Sequence, residues 1–232
     1  MAKFTAEQIY NLLIKQKISD YEGGIKFELM GITIDVSDKS SIGYLFQEWL
    51  ARWFEFNNID FRVKSNSQEF PDFLLDSDSD QKDLLEVKVF DSQNSPNFDV
   101  ANFQSYCRSL KKQSYRVDAD YLIFSYNLVN SRLKITNVWL KKIWEITGPS
   151  EAYPIRTQVK QGMIYNIRPI IWFSQRSKFR PFGSKERFLA AIQETLMLYP
   201  QTTTESQDWL SEVSNNYNSL STARDLANEI LD

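Results

Sequence analysis

Apolar residues recur at helical spacing near the start of the chain, at Phe4, Ile9, Leu12 and Leu13, and Thr5 followed by Gln8 has the spacing of a capping box. The pattern predicts an amphipathic helix from Phe4 to about Lys17. A glycine-broken segment, Ile25 to Val36, then reads as β-like. Ser40 or Ser41 opens a second predicted helix whose broad apolar face carries Ile42, Leu45, Phe46, Trp49, Leu50, Trp53 and Phe54. Glu48, Arg52 and Glu55 form its polar stripe, and Asn57-Asn58 ends it, because short side chains that bond nearby backbone favour turns.

Three short alternating runs follow: Ile59 to Lys64, Phe70 to Leu75 and Asp83 to Phe90. Polar turns separate them, including Asp-Ser-Asp-Ser-Asp at Asp76 to Asp80, and together they predict an antiparallel meander. The Asp/Ser turn lacks the glycine and the closing glutamate of a calcium loop. Phe98 to about Tyr115 has a helical face at Val100, Phe103, Cys107 and Leu110. Tyr121 to Tyr126 is a continuous apolar run of the kind found in buried central strands. Leu133 to Leu140 predicts another strand that runs into a short helix through Ile146, and Gly148-Pro149 marks a break. Beyond it come strands near Gly162 to Asn166 and Pro169 to Phe173, a basic loop, and a helix from Ser184 to Leu198 that Pro200 stops. Residues 201–206 read as a Thr/Ser-rich linker, and the acidic tail as a weak or partly ordered helix. This order predicts an α/β (α+β) fold with a mixed central β-sheet flanked by helices and additions at both ends. Its expected parts are an N-terminal helix and β-like extension (1–40), a core (41–146), a basic continuation of the same domain (147–200) and the acidic tail (201–232).

Composition narrows the chemistry. The 232 residues include no histidine, one cysteine and seven glycines. Catalytic imidazoles, imidazole metal ligands, thiolate zinc sites, internal disulfides and glycine-rich phosphate loops are therefore excluded. Any working groups must be carboxylates, lysines, tyrosines, backbone groups or a hard metal held by oxygen. No run approaches the roughly 18 apolar residues of a membrane span, and Met1 is followed by a polar start, so the expectation is a reduced, cytoplasmic protein with no membrane partner. The net charge of −3 hides an asymmetry. Residues 104–190 hold 16 Lys/Arg against 5 Asp/Glu, while the segments before and after are acidic. A segment at +11 in an acidic chain is a candidate polyanion surface, or else a solvated basic face.

One constellation carries chemistry. Pro71-Asp72 opens the second predicted strand, and Glu86-Val87-Lys88 lies in the third, after thirteen intervening residues. Alternation puts Glu86 and Lys88 on one face, about 6 to 7 Å apart, with Leu85, Val87 and Val89 on the other. A hairpin between these strands would bring Asp72 beside both. Two close carboxylates repel unless a cation or a proton joins them, and a hard divalent ion such as magnesium answers that need. Lys88 would then orient water, stabilise charge on phosphorus or accept a proton. When the motif stands alone, a wet strand face is the ordinary explanation of Glu-x-Lys; the Pro-Asp one strand upstream, the apolar flanks and the preceding acidic helix are what favour chemistry.

Pro71-Asp72 with Glu86-Val87-Lys88 resembles the PD-(D/E)XK nuclease superfamily, in particular its short type II restriction endonucleases. The predicted order of helix, three strands, helix and strand over residues 41–126 is similar to that family's core. The resemblance implies that Asp72 and Glu86 ligate Mg2+, that the Val87 carbonyl adds a ligand and that Lys88 is the catalytic lysine. It also implies a glutamate from the preceding helix, for which Glu48 is the candidate and Glu55 the alternative. The expected activity is magnesium-dependent, sequence-specific cleavage of double-stranded DNA to 5′-phosphate ends, by a prokaryotic homodimer with no nucleotide cofactor. Gln104, Arg108, Lys111, Lys112 and Arg116 in the helix after the motif are candidate DNA contacts. So are Arg176, Lys178, Arg180 and Lys185, which are interleaved with Phe179, Pro181 and Phe182. A related nuclease of repair or transposition and a non-catalytic DNA-binding protein with Glu-x-Lys on an exposed edge strand are the alternatives.

Overall fold

The computed structural model of the protein describes residues 1–66, 69–202 and 206–231, without the side chains of 222–231. In chain order its elements are α1 (Ala6–Lys15), β1 (Glu22–Gly24), β2 (Lys26–Leu29), β3 (Ile32–Asp35), α2 (Ile42–Phe56), β4 (Phe73–Leu74), β5 (Leu84–Asp91), β6 (Ala101–Asn102), α3 (Phe103–Leu110), β7 (Asp120–Val129), β8 (Arg132–Lys142), α4 (Ile143–Ile146), β9 (Thr157–Lys160), β10 (Met163–Ile167), α5 (Lys185–Leu198) and α6 (Trp209–Leu231). They divide into two compact units. The first is Met1–Phe98 with Ala119–Lys142, and the second is Asp99–Asp118 with Ile143–Asp232.

The first unit is built on a five-stranded sheet in the order β1-β8-β7-β5-β4. β5 and β7 run parallel, with Glu86 opposite Tyr121, and the other pairs are antiparallel, so the sheet is mixed as the element order predicts. α1 is closed by the expected capping box at Thr5 and Gln8. α2 presents Ile42, Phe46, Leu50 and Phe54 at i+4 spacing, and these pack with Ile9 and Leu13 of α1 on Leu85, Val87, Leu122 and Phe124 of the sheet. Phe54 meets Phe73 edge-on at 5.1 Å, which fixes the helix over the short strand β4. The β-like segment is a separate hairpin, β2 with β3, turning at Met30 and Gly31, both at positive φ.

The predicted meander is cut down to the single hairpin of β4 and β5. Residues 59–64 add only two isolated bridges, Ile59 with Ala2 and Arg62 with Leu74. The Arg62 guanidinium instead bonds Asp80 at 2.7 Å and the carbonyls of Ser79 and Asp76. That anchors the segment to the Asp/Ser turn, where Lys3 also holds Asp76 and Asp78.

The second unit carries an antiparallel three-stranded sheet, β6-β10-β9, with α3, α5 and α6. The helix expected over Phe98 to Tyr115 shortens to α3 because Ala101 and Asn102 pair with β10, and the Asn102 side chain then caps the helix at Ser105 N–H. Ser114–Asp118 is a 3-10 turn. Residues 169–173 form no strand; β10 pairs instead with β9 through the positive-φ turn Gln161-Gly162. α5 starts where expected, with Ser184 accepting the Arg187 N–H. The acidic tail is a 23-residue helix, α6, anchored by buried Trp209, whose indole donates to the Cys107 carbonyl at 2.8 Å. Of the predicted linker, residues 203–205 lie outside the described residues.

Candidate active site

β4 and β5 pair with Phe73 opposite Leu85, so continuing the register sets Asp72 opposite Glu86. Strand alternation sends Leu85 and Val87 into the core beneath α2 and leaves Glu86 and Lys88 on the other face. The Asp72 carboxylate accepts the Val87 N–H at 2.7 Å and the Gln47 side-chain amide at 2.8 Å. Glu86 Oε1 accepts from Lys88 Nζ at 2.8 Å. Glu86 Oε2 is buried and has no hydrogen-bond partner among the described residues. Two carboxylates and one ammonium thus converge on the interior strand β5.

Charge and burial set the electrostatics. Burial, and then repulsion from Glu86, push the Asp72 carboxyl up to about 7, against the opposing pull of the Val87 N–H, Lys88 and Gln47. A buried carboxylate oxygen without a donor, beside a carboxyl that holds its proton near neutrality, is a pair short of positive charge. A hard cation fits that deficit. Among the described residues no three acidic or cysteine side chains form a ready-made cage. The pair suits an ion that takes one or two carboxylates and completes its shell with water, carbonyl and phosphate oxygens, as magnesium does. Continuing the register further sets Val87 opposite Pro71, and a proline has no N–H to donate to the Val87 carbonyl.

Not every candidate reaches this point. Glu48 is exposed and shares a hydrogen bond with the Tyr44 hydroxyl, and Glu55 pairs with Arg52 at 2.7 Å. The residue of α2 that bonds Asp72 is Gln47. Each helical step turns about 100°. With Phe46 buried against the sheet, Gln47 is carried to the flank of the contact and Glu48 beyond it. Gln47 is an amide where the expected contributor is an acid, and its one signal in the sequence is that it is a polar residue next to the buried stripe. On the face of β5 that Val87 shares, Asp91 is buried, pairs with Lys39 at 2.5 Å and accepts the Gln93 N–H at 3.0 Å, which shapes the start of the loop to Asn97.

The nine candidate DNA contacts all belong to the second unit. Arg108, Lys112 and Arg176 are exposed, and Gln104 is half-buried on α3. Lys111 pairs with Glu212 at 2.6 Å, Arg116 bonds Gln113 at 3.2 Å, and Lys178 pairs with Glu151. Arg180 donates to the carbonyls of Ser174 and Gln175, bracing its own loop. Lys185 departs furthest from expectation. It bonds Asp118 at 2.9 Å and the Tyr217 hydroxyl at 2.5 Å, and stands over the Tyr217 ring at 3.8 Å. Burial pulls its pKa down, but the bonds to Tyr217 and Asp118 outweigh that and hold the ammonium above its usual value. This side chain ties α5, the 3-10 turn and α6 together.

Comparisons with known proteins agree in kind. Residues 3–230 match the model of the NgoBV restriction endonuclease family. The type II restriction enzyme NlaIV of Neisseria lactamica is 40% identical over 212 residues, covering 90% of this chain and 87% of that one. The type II restriction enzyme NgoBV of Neisseria gonorrhoeae is 35% identical over 174 residues, covering 70% and 93%. Among solved structures, an NlaIV restriction endonuclease superposes with a TM-score of 0.90 at 36% identity, over 96% of this chain and 92% of that one.

Proposed function

This chain belongs to the NgoBV restriction endonuclease family, and from that membership we propose that it makes a magnesium-dependent cut through both strands of DNA at a short sequence. As a type II restriction enzyme it is a site-specific deoxyribonuclease, so its substrate is DNA. Among the described residues no helix is long and apolar enough to cross a membrane. The observation that carries the finer reading is the convergence of Asp72, Glu86 and Lys88 with one carboxylate oxygen left without a donor.

Asp72 and Glu86 would hold the ion, with the Val87 carbonyl beside them. When bound, magnesium supplies the positive charge that the acid pair lacks, polarises the phosphoryl group and acidifies water. Gln47 and the Val87 N–H fix the Asp72 carboxylate by occupying both of its oxygens. Lys88, held by Glu86 Oε1, orients the attacking water and meets the charge growing on the phosphate. Water gives up one proton to the solvent as its oxygen bonds to phosphorus, the bond from phosphorus to the 3′ oxygen breaks, and the departing oxygen takes a proton back from the solvent. The ends are a 5′-phosphate and a 3′-hydroxyl. The exposed basic residues Arg108, Lys112 and Arg176 suit the phosphate backbone. The enzyme works in the prokaryotic cytoplasm without a nucleotide cofactor, as a homodimer whose two copies each cut one strand.

The test is Lys88→Ala in a plasmid assay with magnesium. Cleavage is expected to fall about 100- to 1,000-fold, the range lost with a charge-stabilising group, while retardation of a cognate duplex in calcium persists. Cleavage by the variant at the native rate overturns the assignment.

A further inference from the structure

Ten of the twenty exposed large hydrophobic residues among the described residues fall within residues 21–56. In the hairpin, Phe27 lies opposite Ile34 and Leu29 opposite Ile32, so all four share one face. The other face is polar: Lys26 opposite Asp35, Glu28 opposite Thr33. An amphipathic hairpin normally buries its apolar side. Here Phe27 is 53% and Leu29 62% exposed, and Met30 at the turn is 92% exposed.

The same unit carries an open apolar groove of about 790 Å³ between α1, α2 and the start of the sheet. Leu45, Trp49, Trp53 and Phe56 of α2 form much of its wall, and Phe56 is 85% exposed. Leu45, Trp49 and Trp53 are the residues that make the predicted apolar face of α2 broader than the stripe the core buries. None of Asp72, Glu86 and Lys88 lines the groove.

We infer that this ridge and this groove are the two halves of one self-complementary interface, in which the hairpin of each copy seats its Phe27-Leu29-Ile32-Ile34 face in the groove of a second copy. The inference deepens the proposed homodimer and rests on that reading for its partner. Three observations favour the second copy. A two-fold interface needs both halves on one chain, and here they are adjacent in sequence. Eight of the ten lie on the apolar hairpin face or in the groove, and together they offer roughly 700 Å² per copy, taking about 150 Å² for a bare side chain of this size. That exceeds the roughly 300–600 Å² patch of an ordinary monomer and comes close to the about 800 Å² per partner of a stable complex. The charge, finally, argues against DNA: residues 21–56 hold three Lys/Arg against six Asp/Glu, a sign that repels phosphates.

The experiment measures the mass of the full-length chain in solution by light scattering at about 10 μM. The native protein is expected at twice 27.2 kDa. The double substitution Phe27→Asp and Ile34→Asp, at exposed positions, is expected to run as one chain that keeps the native far-ultraviolet circular dichroism and a cooperative melt, with a melting temperature that no longer rises with protein concentration. A second arm uses the burial of Cys107, the one cysteine. Leu29→Cys protein mixed with Phe56→Cys protein and oxidised is expected to give a disulfide-linked pair of unlike chains. A native protein of single-chain mass, an Asp variant that stays dimeric, or the absence of the mixed disulfide each overturns the inference. The nuclease reading fails on a different result, an intact dimer that does not cut DNA.

Discussion

Replacing Asp72 with asparagine is expected to stabilise the metal-free protein at alkaline pH while removing cleavage. The native carboxyl titrates near 7 because it is buried beside Glu86, against about 3.8 for an ordinary aspartate. Below about pH 4 both folded and unfolded chains carry the proton, and Asp72 is neutral in its effect. As pH rises from 4 to 7 the unfolded chain releases the proton and the folded chain keeps it, so stability falls. Above 7 the loss is complete. Three pH units at 1.36 kcal/mol each make it about 4 kcal/mol. The asparagine would keep an oxygen for the Val87 N–H, and the Gln47 amide can turn to accept from its nitrogen, so the substitution gives back about 1 kcal/mol at most. The variant should therefore be roughly 3 kcal/mol more stable than the native protein at pH 8 in EDTA and about 1 kcal/mol less stable near pH 4. Urea unfolding followed by tryptophan fluorescence from pH 4 to 9 reads the difference. Magnesium at 10 mM should raise the native melting temperature at pH 8 and leave the variant unmoved. A variant less stable than the native protein at pH 8, or a difference independent of pH, would refute the reasoning.

Two further outcomes follow from hydrogen bonds. Gln47→Ala leaves one Asp72 oxygen without its donor, and the magnesium concentration for half-maximal cleavage is expected to rise about tenfold, equivalent to the 1–2 kcal/mol of a hydrogen bond to a charged group; a magnesium titration of initial rates checks it. Lys185→Met breaks the link to Asp118 and Tyr217. It is expected to cost about 1–2 kcal/mol of stability in urea while DNA affinity, measured by anisotropy at 20 °C, stays within twofold.

The elements that patterns within one segment determine were legible. α1 and α5 have side-chain caps, and α1, α2 and α5 have buried stripes, where periodicity puts them; Ser41 opens α2 without a capping bond, and β7 is the apolar run of a central strand. Asp72 beside Glu86 was legible only in part: the two strands and the polar loop between them could be read, but a nine-residue connection does not fix the register, which the pairing of Phe73 with Leu85 sets. What depends on packing between distant segments was not. The 59–64 segment has strand alternation, yet its backbone pairs only at single points because Arg62 is drawn into the 76–80 turn. Lys185 sits in a basic run, but Asp118 and Tyr217, 67 and 32 residues away, decide what its charge does. Gln47 was missed because its reach depends on how Phe46, Leu50 and Phe54 roll α2 against the sheet.

The structure also weighs the bland explanation of Glu-x-Lys. On an edge strand with one wet face, Glu86 and Lys88 would be hydrated, and the motif would say nothing about chemistry. β5 is not an edge: β4 lies on one side and β7 on the other. The Glu86 side chain is one-tenth exposed, and one of its oxygens has no donor among the described residues. Leaving a buried acceptor unpaired costs on the order of 1–3 kcal/mol, more when it is charged, and the proton affinity of Asp72 adds a cost of similar size. A sheet selected only for stability would carry apolar residues at 72 and 86, as β5 does at Leu85 and Val87. Strained pairs of this sort are kept where a ligand relieves them. On the proposed reading the relief comes from magnesium, so the protein is least comfortable at the point where the ion that its reaction needs completes it.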